Sequence, residues 1–193
     1  MKWFTSDLHL GHVAIIGMQQ RPFKNVEEMN KIIIDNINTV VSNYNNDELY
    51  ILGDLSHHIK PEETIGLISK IKCNRKYLCI GNHDKVEAIK QLAPDLFKDI
   101  QYYYQDICDQ GAVFHLMHYP LASWKHQRRS KTFMLHGHIH SKPEYNLENK
   151  KNHILKFDCG VECCNYYPIS SKQILEFFGE EVYMNPKVNY HTR

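Results

Sequence analysis

This chain of 193 residues lacks several features, and each absence removes a class of function. No apolar run approaches the roughly 18 residues that a membrane span needs, and no charged-then-apolar leader opens the chain. No membrane partner is therefore expected, and the cytoplasm is the expected compartment. Neither sign of charge is in excess: Lys and Arg number 23 against 22 acidic residues, so no global basic field draws in long nucleic acid. The six cysteines, at 73, 79, 108, 159, 163 and 164, include no Cys-x-x-Cys pair, which argues against a cysteine zinc site. Several of them fall in apparent strands, so they read as reduced thiols rather than a disulfide framework. No repeat, low-complexity tract or linker breaks the chain. With 42% hydrophobic and 23% charged residues it reads as a single compact domain over 1–193.

What is present is an ordered series of metal-ligand residue types. It runs Asp7-Leu8-His9, Gly53-Asp54, Gly81-Asn82-His83-Asp84, His118 and Gly137-His138-Ile139-His140. Lys2–Ser6, Leu49–Gly53 and Tyr77–Gly81 are short runs rich in strand formers, and each ends at one of these blocks. Phe133-Met134-Leu135 leads into the last block in the same way. Ligands in open α/β sheets bind beyond the carboxyl ends of the strands, so these loops are expected to converge on one edge. Residues two apart on extended chain point the same way, which pairs Asp7 with His9 and His138 with His140.

The donor types narrow the metal. Carboxylates, one amide oxygen and imidazoles, with no thiolate among them, favour ions of high coordination number over a closed tetrahedral zinc site. Two divalent ions are expected, with Mn²⁺ the first choice and Fe²⁺, Ni²⁺ or Zn²⁺ as alternatives. Asp7 and Asp54 offset only half of their charge, which leaves a field suited to a phosphate ester anion.

In its five blocks and their order the series resembles the calcineurin-like metallophosphoesterases: Asp-x-His, Gly-Asp, Gly-Asn-His-Asp/Glu, a lone His and Gly-His-x-His. Asp-Leu-His-Leu-Gly-His at the start, Arg21-Pro22-Phe23 and His118-Tyr119-Pro120 are similar to phrases in the small bacterial and phage members. The resemblance implies a four-layer αββα sandwich, with two mixed sheets face to face and helices outside. It assigns Asp7, His9 and His140 to one metal, Asn82, His118 and His138 to the other, and Asp54 to both. His83 would protonate the leaving group after attack by a metal-bridged hydroxide, with Asp84 orienting it. Asp84 could equally cap the following helix.

The implied activity is phosphoester hydrolysis. A phosphodiesterase for small or nucleotide-type esters is the leading expectation, a phosphomonoesterase the close alternative, and a non-catalytic scaffold the remote one. Gly53-Asp54-Leu55-Ser56-His57 departs from the Gly-Asp-x-x-Asp-Arg-Gly block of protein phosphatases. Candidate substrate contacts are His12, near enough to Asp7 and His9 to face the same mouth, and Arg21. Arg128 and Arg129 join them from the basic segment Lys125–Lys131, where Tyr119 and Trp124 could offer rings to a base. That segment also reads as a plain solvated turn, and His57 and His58 as a solvated loop. His136 points either away from the metals or towards a ligand.

Between the blocks, Asn25 and Glu28 suggest a capping box for a helix carrying Met29, Ile33, Ile37, Val40 and Val41. Pro61 suits the first turn of another helix, with an apolar stripe from Ile65 to Ile71. Ser170 and Gln173 cap a last one with Ile174, Leu175 and Phe178, before a tail from Glu180 to Arg193. Val113–Met117 and Ile154–Asp158 read as late strands.

Overall fold

The computed structural model describes residues 1–179, so the expected tail lies outside the described residues. The first half alternates strand and helix: β1 (Lys2–Thr5), α1 (Val13–Met18), α2 (Val26–Val40), β2 (Glu48–Ile51), α3 (Pro61–Ile68), β3 (Lys76–Cys79), α4 (Val86–Leu92) and β4 (Asp99–Gln101). The second half holds β5 (Gln105–Asp109), β6 (Ala112–Leu116), β7 (Thr132–His136), α5 (Pro143–Lys151), β8 (Lys156–Asp158), β9 (Ile169–Ser170) and α6 (Ser171–Phe178). One sheet has the order β4-β3-β2-β1-β9, and the other β5-β6-β7-β8. Each is parallel except at one edge, where β9 runs antiparallel to β1 and β5 to β6. The expected pair of mixed sheets is thus the observed architecture.

Alternation along the strands builds the layers. Phe4, Tyr50 and Leu52 face the second sheet and meet Phe114, Leu116, Phe133, Leu135 and Phe157. Leu49, Ile51 and Leu78 point the other way, onto Met29, Ile33 and Ile37 of α2, Ile68 of α3 and Ile89 of α4. The Asn25 side chain caps α2 at the Glu28 amide as expected, but the Glu28 carboxylate reaches one residue further back, to the Lys24 amide. The capping box at Ser170 and Gln173 is complete. Ile71 falls beyond the end of α3 yet remains in the core.

Because β1, β2 and β3 are mutually parallel, as are β6 and β7, five carboxyl-terminal loops are available to meet. The loops after β1 and β2 continue the ladder side by side: the Asp7 amide donates to the Gly53 carbonyl at 3.1 Å and that of His9 to the Asp54 carbonyl at 3.0 Å. Across the sandwich, the Gly137 amide donates to the His118 carbonyl at 3.0 Å.

Candidate metal centre

The five loops do meet. The His9 and His140 Nε2 atoms face each other at 3.2 Å, and His9 Nε2 lies 3.5 Å from Asp54 Oδ2. On the other side of that carboxylate, His118 Nε2 is also 3.5 Å from Asp54 Oδ2. Asn82 Oδ1 sits 2.9 Å from His118 Nε2 and 3.0 Å from His138 Nδ1, with the two imidazole nitrogens 3.2 Å apart. Asp7 lies against both halves, in one group with His9 and His140 and in another with Asp54 and His118. Its two carboxylate oxygens each accept the His138 amide at 3.0 Å, which ties the sheets together at the site.

The orientation of the rings suits cation binding. His118 Nδ1 lies 2.8 Å from the Leu52 carbonyl, which can only accept, so the proton sits on Nδ1 and the Nε2 lone pair faces inward. His140 Nδ1 makes the equivalent bond to Glu162 Oε1 at 3.1 Å. The His9 and His140 Nε2 atoms, 3.2 Å apart, stand at the spacing natural to two ligands each about 2.1 Å from a shared ion. The electrostatics agree. Burial pushes the Asp7 carboxyl up to about 8 and His9 down to about 2. Burial likewise lowers His118, while for His140 the Glu162 hydrogen bond and Asp7 outweigh burial and raise it. Buried carboxyls beside imidazoles form a donor set that a divalent ion completes.

Close approach of backbone makes the cluster possible. A Cβ on Gly81 would run into the Asp54 carboxylate and backbone amide, and one on Gly137 into Ser6 and the Asp7 carboxylate. Asp7, His9, Asp54, His138 and His140 themselves take left-handed backbone, with φ between 46° and 73°. The cluster opens to solvent along Asn82, His138 and the half-buried His83, where the Tyr119 ring lies 4.5 Å from that of His138.

The fold and these loops are those of a known family: the model of the calcineurin-like phosphoesterases matches residues 3–186. The chain belongs to that family. It is 34% identical over 181 residues to an uncharacterized protein of Methanocaldococcus jannaschii, covering 90% of this chain and 89% of the other. Over 84 residues it is 36% identical to the gene 66 protein of Mycobacterium phage L5, covering 42% of this chain and 39% of the phage protein. Among solved structures, a protein of unknown function from Aquifex aeolicus superposes with a TM-score of 0.69 at 29% identity, over 90% of this chain and 97% of that one. A protein described as a novel archaeal phosphodiesterase shares the fold, with a TM-score of 0.50 at 15% identity over 90% and 95% of the two chains. This member of the family carries a cluster of His and Asp side chains that could hold a metal ion. Among its described residues, no helix is long and apolar enough to cross a membrane.

Several other residues of this phosphoesterase do not stand where the sequence suggested. Arg21 is buried behind the site: its guanidinium donates to the Asp7 and Leu8 carbonyls at 2.8 and 2.9 Å and pairs with Glu162 at 2.7 Å. It braces the ligand loop and cannot serve as a substrate contact. Trp124 is also buried, with Nε1 donating to the Thr132 carbonyl, so its ring is not a stacking platform. Asp84 does not cap α4, whose N-cap is Lys85. Its carboxylate accepts the amides of Asp54, Leu55 and Gly81 at 2.8 to 3.0 Å, and no hydrogen bond joins it to the His83 ring among the described residues. Asp84 locks the second and third ligand loops together. His136 is buried on β7, bonded to the Gly137 carbonyl and the Tyr145 hydroxyl. His57 is half-buried, its ring 3.9 Å from that of His83, and His58 is exposed. Arg128 and Arg129 are exposed in the turn between β6 and β7.

Glu162 was the functional neighbour that sequence reasoning missed. It follows β8 just as the ligand blocks follow their strands, but it belongs to none of the five blocks. Burial opposes its ionisation, yet the His140 bond and Arg21 prevail and hold its carboxyl below the usual range. It thereby sets the His140 tautomer. Glu162→Gln is expected to weaken metal binding by roughly 10- to 100-fold while leaving the fold intact, measured by metal titration and circular dichroism. Unchanged metal affinity would show that Glu162 serves only to pair with Arg21.

Proposed function

We propose that this phosphoesterase is a binuclear, metal-dependent phosphodiesterase acting in the cytoplasm on small or nucleotide-type esters. The observation that carries the reading is the position of Asp54, whose Oδ2 is equidistant from the inward nitrogens of His9 and His118. Asp7, His9 and His140 would hold one ion, Asn82, His118 and His138 the other, with Asp54 between them. Mn²⁺ is the first choice, because the oxygen and nitrogen donors include no thiolate. Such ions supply the Lewis acidity that brings the pKa of water towards neutrality and offsets phosphoryl charge.

The protein's own groups do the rest. His83 stands at the open side of the cluster, its Nε2 4.0 Å from Asp54 Oδ2 and its amide held by Asp54 Oδ1 at 2.9 Å. There it can give a proton to the departing alkoxide. Its placement rests on Asp54, and Asp54's own loop rests on Asp84. Arg128 and Arg129 are the candidate substrate contacts that remain exposed, as is Tyr119, whereas His12 is buried among histidine rings.

A substrate panel with Mn²⁺ tests the proposal, comparing a nitrophenyl monoester, its bis-ester, 2′,3′-cyclic nucleotides and short RNA. Faster turnover of the diesters is expected, and faster turnover of the monoester would make the protein a phosphatase. Replacing Arg128 and Arg129 together is expected to raise KM about 30-fold for a 5′-phosphorylated dinucleotide, at about 1 kcal/mol for each contact to its second phosphate, and to leave a nitrophenyl ester, which has no second phosphate, unaffected. Equal effects on both substrates would remove these arginines from the binding rim.

A further inference from the structure

A second group of histidines lies beside the cluster, built from residues that the proposed reaction leaves largely unused. His12 comes from the turn after β1, and His57 and His58 from the loop after β2. The two segments are joined by the Leu10–Ser56 bridge and by the His57 amide donating to the Leu10 carbonyl at 3.3 Å. The three rings pack together, with centroids 4.7 Å apart for His12 and His57, 5.2 Å for His12 and His58, and 3.8 Å for His57 and His58. One ring nitrogen from each lies within 4.8 Å of the others. His58 has φ near +60°, a left-handed conformation uncommon outside glycine, though asparagine, aspartate and histidine adopt it more readily than other residues.

A trio of packed histidines has an ordinary explanation. If it were plain packing, the buried nitrogens would find hydrogen-bond partners, yet His12 is 7% exposed and its Nδ1 has none among the described residues. Imidazole nitrogens that converge from three side chains suit a metal ion instead.

We propose that His12, His57 and His58 form a third metal site, separate from the paired centre, that takes a borderline divalent cation such as Zn²⁺ or Co²⁺ through three imidazoles and keeps one position open. Ligand nitrogens of a tetrahedral ion lie about 3.4 Å apart, so closing the trio needs shifts of roughly 1 Å. The exposed His58 and half-buried His57 can make them. With three nitrogens and no carboxylate, the site selects against Mn²⁺ and Mg²⁺, unlike the mixed donors of the paired centre. The His12 ring is 5.5 Å from that of His9, so ions already bound nearby repel the newcomer. The third site therefore fills last and empties first.

Metal titration of the full chain decides the matter. Chelator-stripped protein is titrated with Co²⁺, and binding is followed by elemental analysis after dialysis and by the visible absorption of four-coordinate Co²⁺. About three ions per chain are expected with Co²⁺ but about two with Mn²⁺, and the last Co²⁺ should bring the four-coordinate bands. His58→Asn, which suits the left-handed backbone, should weaken that last ion at least tenfold and leave the tighter pair in place. Asp54→Asn separates this proposal from the proposed function: it should keep one four-coordinate Co²⁺, which Asp54→Asn with His58→Asn loses. Two ions in the unsubstituted chain without four-coordinate bands, or a third ion indifferent to His58→Asn, would overturn the assignment.

Discussion

Replacing Asp54 with alanine is expected to empty both halves of the metal cluster at once. Every other candidate ligand except Asp7 belongs to one half, and its loss would leave several donors to hold an ion with reduced affinity. Asp54 Oδ2 lies 3.5 Å from a histidine nitrogen of each half, while Oδ1 accepts the His83 amide. The side chain is 2% exposed, so water cannot enter freely to replace it. Changing a residue that merely orients a ligand costs about 10- to 100-fold in metal affinity, so loss of the shared ligand should exceed 100-fold at each half. Elemental analysis should show the paired ions falling from about two per chain to near none, with phosphodiester hydrolysis lost in parallel. Retention of one tightly bound Mn²⁺ would mean that Asp54 serves a single ion.

Replacing His83 with alanine should give the opposite pattern, with metal kept and turnover lost. The ring is half-exposed at the open side of the cluster, with Nε2 4.0 Å from Asp54 Oδ2, and it belongs to neither group of converging ligands. A positioned general acid is worth about 10²- to 10⁴-fold in rate, and the loss falls hardest on leaving groups that are strong bases. Hydrolysis of an alkyl phosphodiester should therefore drop by about 100-fold or more, while a nitrophenyl ester, whose leaving group needs little protonation, should lose far less. Metal content should be unchanged. Full activity towards the alkyl diester would exclude His83 as the acid.

The ligand blocks were legible because each sits at the end of a strand whose β-forming run is visible by itself, as with Lys2–Thr5 before Asp7 and Lys76–Cys79 before Asn82. Convergence then followed from parallel pairing. Arg21 and Trp124 were misread because charge and aromaticity in a loop say nothing about burial: the Arg21 guanidinium is enclosed by carbonyls that only the folded chain assembles. Helix α5 had no apolar signal. Its buried residues are Asn146 and Asn149, and Asn146 exchanges hydrogen bonds with the Asp158 backbone, a contact that hydrophobic periodicity cannot register. The His12, His57 and His58 group draws on two loops more than 40 positions apart, so proximity appears only once β1 and β2 pair.

The left-handed backbone at Asp7, His9, Asp54, His138 and His140 bears on how this chain can change over generations. Each position holds a residue where glycine would sit with less steric conflict, at a difference of about 1 kcal/mol or more. Selection for hydrolysis keeps histidine and aspartate there against that gradient. In a lineage where hydrolysis no longer matters, Asp7 and Asp54 would still be held by the fold, because they accept the His138 and His83 amides. His9, whose buried Nδ1 has no hydrogen-bond partner among the described residues, would be the first of the five to drift.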